Sequence, residues 1–336
     1  GVVLWGPSGV LVCGALGTQS NPGIVSDGAG GAIIGWYDGR SGGSGIYAQR
    51  VDVNGAAQWA ADGIRVCSTA TAPRLISDDA GGAIVGYSNG IVGGGDVFVQ
   101  RIGADGSLLW GTEGVSVCAT QYIESDFDIA PDGAHGVIVA VVRNYYQNST
   151  AVYSGRVDAA GTVHWWSEGM GLYTDMAMWE SNIKMADNGA GKAIVTWQGW
   201  WGDDNIHAQQ IDTSGAIGWG GWGRSICSAA NGQGQQQIVA DGSGGAVIAW
   251  SDARLDYGDI YAQRITMEGT VLWAADGVPV CTAPGYQGDC SMISYGAGGA
   301  VLAWSDRRAD DENYDIYTQR LDATGASLWM ADGAVV

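Results

Sequence analysis

Lysine, histidine and long apolar segments are scarce in this sequence, and each shortage excludes a class of protein. No run of about 18 apolar residues occurs, so no membrane-spanning helix is expected. The only two lysines are Lys184 and Lys192 and the net charge is −20, so the chain would repel nucleic acid and anionic lipid. The histidines, His135, His164 and His207, are far apart and belong to no catalytic motif. We therefore expect no nucleic-acid partner, no direct membrane insertion and no enzymatic activity.

Proline is also rare, with 6 residues, whereas glycine is abundant, with 57. Glycine clusters between short apolar runs indicate tight turns between strands. A segment of about 54 residues recurs six times, and a fixed period of this length is typical of a repeat architecture. The turns of the six repeats begin at Asp27, Asp78, Asp132, Asn188, Asp241 and Tyr295.

Repeat 1 shows how one segment is expected to fold. Residues 24–26, 32–36, 46–52 and 57–59 are β-prone runs, and turns rich in glycine separate them. Four short antiparallel strands in one repeat form a propeller blade. The sequence therefore predicts an all-β protein, a six-bladed β-propeller of four-stranded antiparallel blades, in a single domain over residues 1–336.

The two ends of the chain carry the same element. Residues 1–5 and 325–329 each begin with Gly and end with Leu-Trp, in the same phase of the repeat. The chain thus holds six repeats plus one overlapping terminal strand. Either one terminal strand closes the ring of blades, or the spare strand pairs with a neighbouring molecule.

Two residue types recur once in most repeats and are interpreted as structural. A large flat tryptophan ring at a fixed position suits packing between neighbouring blades rather than ligand binding. An arginine after the third strand is expected to bond a carbonyl or carboxylate within the fold. The tryptophans are Trp5, Trp59, Trp110, Trp165, Trp219, Trp273 and Trp329, and the arginines are Arg50, Arg101, Arg156, Arg264 and Arg320.

Repeats 1, 5 and 6 share the motif Trp-x-Asp-x-Arg, which ends at Arg40, Arg254 and Arg308. The Asp and Arg of this motif are expected to brace their loop by charge-assisted hydrogen bonds. A repeated sugar-binding pair is the alternative.

Five of the six cysteines occupy one slot of the repeat. Equivalent slots in different repeats lie too far apart for a disulfide, so we interpret these residues as small buried hydrophobic groups. Cys290 lies outside the pattern. A loop-closing Cys281–Cys290 bridge is a further alternative, and it would fit an oxidising compartment.

Repeats 3 and 4 depart most from the pattern and concentrate tryptophans outside the structural series. Exposed aromatic rings beside carboxylates fit a sugar ring or a partner protein. Alternatively, these bulky loops cover their own blade. The candidate ligand- or partner-binding residues are Trp166, Trp179, Trp200, Trp201, Asp203, Asp204 and Trp222.

An acidic loop in repeat 6 is a candidate metal site. Asp310, Asp311, Glu312 and Asp315 could supply oxygen ligands to Ca²⁺. Their spacing matches no EF-hand loop, so a solvated acidic loop is the alternative. No other cofactor is expected.

Two segments of repeat 5 resemble known repeats. Trp-Ser-Asp-Ala-Arg at 250–254 and Asp-Ile-Tyr-Ala-Gln-Arg-Ile at 259–265 resemble repeats in large secreted proteins of environmental bacteria, most of them uncharacterised. The blade is also similar to that of quinoprotein-like propellers with a docking Trp. The resemblance implies a secreted or cell-surface protein.

These patterns together favour a non-catalytic extracellular or cell-surface propeller with a structural or adhesive role, acting through a protein partner or self-assembly. A carbohydrate-binding propeller that uses Trp200 and Trp201 is the first alternative. A secreted glycan-active enzyme, with paired acids among the 35 carboxylates, is the second.

Overall fold

The chain is all-β, as predicted. The computed structural model describes residues 5–336 apart from positions 69, 71, 91–94, 119–120, 146–148, 166–169, 174–178, 190, 201–203, 256–257 and 309–312. Within this described part, 25 strands and no helix are present, so no helix is available that could cross a membrane. The chain divides into two compact units, Gly1–Val141 with Ser154–Met170 and Val142–Tyr153 with Gly171–Val336.

The strands form six antiparallel sheets that follow the six repeats. Five sheets have four strands in chain order, and in the third sheet a fifth strand, β13, pairs with β11. The first sheet contains β1 (Gln19–Ser26), β2 (Ala32–Asp38), β3 (Gly45–Val51) and β4 (Ile64–Cys67). The second contains β5 (Arg74–Ser77), β6 (Ala83–Ser88), β7 (Val97–Ile102) and β8 (Val115–Ser116). The third contains β9 (Ile123–Pro131), β10 (Val137–Asn144), β11 (Thr150–Val157), β12 (Val163–His164) and β13 (Met170–Tyr173). The fourth sheet contains β14 (Trp179–Asp187), β15 (Lys192–Trp200), β16 (Asp204–Asp212) and β17 (Arg224–Cys227). The fifth contains β18 (Gln233–Ala240), β19 (Ala246–Asp252), β20 (Asp259–Ile265) and β21 (Val278–Cys281). The sixth contains β22 (Gln287–Gly296), β23 (Gly299–Asp306), β24 (Asp315–Leu321) and β25 (Ala334–Val335).

Apolar cores lie between consecutive sheets within a compact unit. Val247 and Ala262 of the fifth sheet pack with Leu302 and Trp304 of the sixth, and all four are buried. The second strand of each repeat is apolar on both faces because sheets or loops cover it on both sides. This explains why those runs show no alternation in the sequence.

A buried aspartate closes the first hairpin of repeats 1, 2, 3 and 5. In repeat 1, Asp27 accepts hydrogen bonds from the backbone N–H groups of Ala29 and Gly31 at 2.9 and 2.8 Å. Its other oxygen pairs with Arg50 at 2.9 Å. The equivalent pairs are Arg101–Asp78, Arg156–Asp132 and Arg264–Asp241, at 2.9, 2.8 and 2.7 Å. The predicted carboxylate contact is therefore confirmed for four of the five arginines. Arg320 differs, because Tyr295 replaces the aspartate in repeat 6 and the guanidinium lies 3.6 Å from the centre of that ring.

Five of the seven recurring tryptophans donate their indole N–H to a carbonyl oxygen in the following repeat. Trp59 Nε1 donates to the Ala104 oxygen at 3.1 Å, and Trp219 Nε1 donates to the Met267 oxygen at 3.0 Å. The glycine of the same following turn leaves room for the ring, since a Cβ at Gly106 would stand 3.0 Å from the Trp59 ring. The same indole bond is made by Trp5, Trp110 and Trp273.

The Trp-x-Asp-x-Arg motif forms the predicted brace. In repeat 5, Arg254 pairs with the fully buried Asp252 at 2.6 Å, and Trp250 Nε1 donates to the same carboxylate at 2.8 Å. The guanidinium also donates to the Cys227 sulfur at 3.1 Å and lies 4.0 Å from the ring centre of Tyr261. Repeats 1 and 6 repeat this arrangement around Asp38 and Asp306. The cysteine slot therefore serves a polar contact as well as packing, which we did not predict.

The suggested Cys281–Cys290 disulfide does not form, because all six cysteines are free. Cys281 lies at the end of β21, where its sulfur accepts a hydrogen bond from Arg308 at 3.0 Å. Cys290 lies in β22 and its thiol faces the Ser291 oxygen at 3.7 Å.

The sixth sheet takes all four of its strands from its own repeat. β25 near the C-terminus pairs with β24, through Val335 opposite Tyr317. Residues 1–4 of the overlapping N-terminal element lie outside the described residues, so the choice between ring closure and an external strand stays a prediction.

Candidate functional site

A cavity of about 520 Å³ lies at the strand ends of repeats 3 and 4, entirely within the second compact unit. It is lined by Asn144, Thr150, Glu180, Ser181, Trp200 and Asp204. Trp200 is the last residue of β15 and stands opposite Asp204, the first residue of β16. This two-strand end therefore places an aromatic ring and a carboxylate at one opening.

Glu180 provides a second carboxylate, and it is fixed in position. Glu180 is buried, with 3% of its surface exposed, and Thr150 beside it is also buried. The Thr150 hydroxyl donates to the Glu180 carboxylate and accepts a hydrogen bond from the Glu180 backbone N–H. This double contact restricts the rotamers of the glutamate and orients its carboxylate.

Trp200 is the open wall of the cavity. Half of its surface is exposed, whereas the recurring structural tryptophans that follow the third strands of repeats 4 and 5, Trp219 and Trp273, are buried. An exposed indole beside hydrogen-bonding groups is a surface on which the C–H face of a sugar ring can stack.

A polar cluster next to Asn144 supports this end of the third sheet. Arg143 is buried, and its guanidinium lies 4.2 Å from the ring centre of Tyr153. The hydroxyl of Tyr153 accepts a hydrogen bond from Tyr145 at 2.7 Å. Burial, together with that bond, raises the pKa of Tyr145 to about 12. Arg143 occupies the position that Asp38 has in repeat 1, so this repeat reverses the charge of the regular brace.

Two predicted binding residues, Trp200 and Asp204, meet in this cavity. Trp222 is 66% exposed and lines a different cavity, of about 350 Å³. Trp166, Trp201 and Asp203 lie outside the described residues, as does the side chain of Trp179. No pattern in the sequence pointed to Glu180 or Thr150, because their contact joins residues 30 positions apart.

The predicted Ca²⁺ loop falls largely outside the described residues, which exclude Asp310, Asp311 and Glu312. Asp315 is exposed at the start of β24. Among the residues that the structure describes, no group of three or more His, Cys, Asp or Glu side chains could hold a metal ion.

No protein family and no curated protein sequence matches the chain, so the resemblance to secreted bacterial repeats gains no support from sequence. Solved structures do match. An ulvan lyase, a polysaccharide lyase, aligns over 91% of this chain and 79% of its own, with 10% identity and a TM-score of 0.58. A protein of unknown function from Dyadobacter fermentans covers 90% and 94%, with 9% identity and a TM-score of 0.55. A second polysaccharide lyase covers 90% and 77%, with 10% identity and a TM-score of 0.51.

The comparison corrects one expectation from the sequence. We expected no enzymatic activity, and this prediction is contradicted, since two of these three structures are glycan-cleaving enzymes that share the fold over about nine tenths of the chain. The expectation rested on missing histidine and serine motifs. The absence of those motifs does not exclude an enzyme, because paired carboxylates, which can hydrolyse a glycosidic bond, leave no fixed motif in a sequence.

Proposed function

We propose that this protein is a secreted glycan-active enzyme, built as a six-bladed β-propeller in one domain, and that the cavity around Trp200 is its active site. The observation that carries the proposal is that one cavity holds a half-exposed indole and two carboxylates, Glu180 and Asp204. Six antiparallel sheets in chain order support the propeller.

Each residue has a role that its position supports. Trp200 stacks against a sugar ring, and Asn144 and Ser181 offer hydrogen bonds to its hydroxyls. Glu180, enclosed and held by Thr150, is the candidate general acid. Asp204, on the more open side of the cavity, is the candidate base or nucleophile because water reaches it more readily. Two carboxylates with these roles hydrolyse a glycosidic bond.

The charge of the cavity favours a neutral glycan. None of the six lining residues is cationic, and the nearby Arg143 is buried. Elimination from a uronic acid requires a group that neutralises the sugar carboxylate, and a net charge of −20 works against an acidic polymer. We therefore propose hydrolysis of a neutral polysaccharide, unlike the substrate of the ulvan lyase.

The test is a polysaccharide panel read by new reducing ends. The panel contains arabinan, xylan, β-glucan, galactan and polygalacturonate, and the absorbance of unsaturated products separates elimination from hydrolysis. We expect hydrolysis of a neutral polymer and a loss of about 100-fold or more in kcat for Glu180→Gln and for Asp204→Asn. Glu268→Gln is the matched control, because it removes an exposed carboxylate of the same unit from outside this cavity.

Binding without new reducing ends would replace the enzyme proposal by a carbohydrate-binding one. Cleavage that survives in both carboxylate variants would place the active site elsewhere. Unsaturated products would overturn hydrolysis in favour of elimination.

A further inference from the structure

Repeat 4 has lost the polar brace that repeats 1, 5 and 6 share, and of the brace side chains only the tryptophan, Trp197, remains. In repeat 5 the brace consists of Cys227, Asp252, Arg254 and Tyr261, with the backbone oxygen of Asp276 as a further acceptor from Arg254 at 2.7 Å. In repeat 4 the corresponding residues are Tyr173, Gly199, Trp201, His207 and Trp222. A network of charge and thiol is thus replaced by aromatic rings and one glycine.

The replaced side chains form one aromatic cluster around the second cavity. The ring of Tyr173 lies 5.8 Å from the ring of Trp222 at an angle of 70°, and 6.2 Å from the ring of His207. These three residues line the cavity of about 350 Å³ together with Gly223 and Ser225. All of them belong to the second compact unit.

Trp197 shows what the loss of the brace costs. In the regular repeats the equivalent indole N–H donates to the buried aspartate, at 2.8 Å in the case of Trp250 and Asp252. Gly199 stands at the aspartate position in repeat 4, and the fully buried Trp197 Nε1 finds no acceptor within the described part of the chain. An unsatisfied buried donor costs about 1–3 kcal/mol, so the loss of the aspartate lowers the stability of repeat 4.

We propose that this aromatic cavity, lined by Tyr173, His207 and Trp222, is a second glycan-binding site that takes a neutral sugar ring. Trp222 is two-thirds exposed and offers a flat stacking face, while Tyr173 packs edge-on behind it and holds the indole in place. The Ser225 hydroxyl and the His207 imidazole offer hydrogen bonds at the rim.

The absence of charge in the lining determines the ligand class. Burial lowers the pKa of His207 to about 4, so its ring is neutral at pH 7. The five lining residues then carry no net charge, in a chain whose net charge is −20. A neutral sugar matches this uncharged lining, whereas an acidic sugar or a cation would find no side chain of opposite charge there. The choice of a glycan over another neutral ring rests on the proposed function.

The test measures binding without cleavage. The chain carrying both Glu180→Gln and Asp204→Asn is run in native gels containing arabinan, xylan, β-glucan or galactan, and its retardation gives an affinity. Trp222→Asp is then added, which inserts the residue of repeats 1, 5 and 6, and we expect at least about tenfold weaker retention on one polymer. Trp329→Ala in the same background is the matched control, because it removes an exposed indole that lines neither cavity. Near-UV circular dichroism checks that each variant is folded.

The two proposals fail separately in this design. Retention that depends on Trp222 supports the second site even when the native chain cleaves no glycan. Cleavage by the native chain, with retention that Trp222→Asp leaves unchanged, overturns the second site alone. Retention lost equally in a Tyr173→Ala variant and in Trp222→Asp supports the shared cavity, and retention unaffected by Tyr173→Ala overturns it.

Discussion

At the residue scale, the most informative side chain is the buried aspartate of the brace. The Asp252 carboxylate accepts hydrogen bonds from the indole of Trp250 and from both the guanidinium and the backbone N–H of Arg254. The same set at Asp38, led by the hydrogen bond from Arg40, holds the pKa of that carboxyl well below its usual range. At Asp306, burial works to raise the pKa, but the bonds from Arg308 and Trp304 outweigh it and lower the pKa. These aspartates therefore stabilise the fold as ions.

Removing such an aspartate should be costly because its partners stay behind. Asp252→Ala leaves the buried Trp250 N–H without its acceptor and removes the carboxylate that neutralises the Arg254 guanidinium. We expect a loss of about 3 kcal/mol in the free energy of unfolding, measured by urea titration. Glu268→Ala, at an exposed turn of the same repeat, is the control and should change stability by less than about 0.5 kcal/mol. Equal effects of the two substitutions would show that the brace contributes nothing.

At the element scale, the first hairpin of each repeat shows how one residue determines turn geometry. The Asp27 carboxylate accepts hydrogen bonds from backbone N–H groups of its own turn. The turn spans five residues, and the Asp27 N–H donates to the Gly31 oxygen across it. In repeat 6 the same position is Tyr295, which cannot cap, and Gly296 instead pairs directly with Gly299. The two residues between them, Ala297 and Gly298, have φ of 46° and 84°. These values are those of a two-residue hairpin turn that prefers glycine or asparagine.

Ala297 is therefore a strained position that can be relieved. An L-residue with φ near +46° costs about 1–2 kcal/mol, whereas glycine adopts that conformation freely. We expect Ala297→Gly to stabilise the protein by about 0.5–1 kcal/mol, seen as a higher urea midpoint. Ala29→Gly, at the aligned position of repeat 1, has no positive φ to relieve and should lower the midpoint instead. A lower midpoint for Ala297→Gly would contradict the strain argument.

The elements were predictable because their causes are local. Glycine turns and apolar runs recur in each repeat, and the spacing of Asp27 and Arg50 recurs in repeats 2, 3 and 5. The all-β fold and four of the structural arginines therefore followed from the pattern. The candidate site was predictable only in part. Trp200 and Asp204 were found as departures from the pattern, but the Glu180–Thr150 contact and the second cavity depend on which strand ends meet in space. That juxtaposition is not encoded in any one repeat.

At the scale of the whole molecule, negative charge is the dominant property. The chain has 35 acidic and 15 basic residues, and several of the arginines are already paired within the fold. The field outside the protein is therefore negative, and it acts on any charged polymer that approaches either cavity. A neutral glycan feels no such field, whereas a polyuronate is repelled.

This difference predicts opposite responses to salt. Raising the ionic strength from about 0.01 to about 0.15 M shortens the screening length from about 30 to about 8 Å. We expect the KM for the neutral polymer to change by less than about twofold over this range, because the polymer carries no charge that could interact with those of the protein. Binding of polygalacturonate, followed by gel retardation, should become stronger as salt rises, because repulsion is screened. Repeating the series with KCl in place of NaCl separates screening from binding of a particular ion. Tighter polygalacturonate binding at low salt would mean that a local positive surface outweighs the net charge, and it would contradict the neutral-substrate proposal.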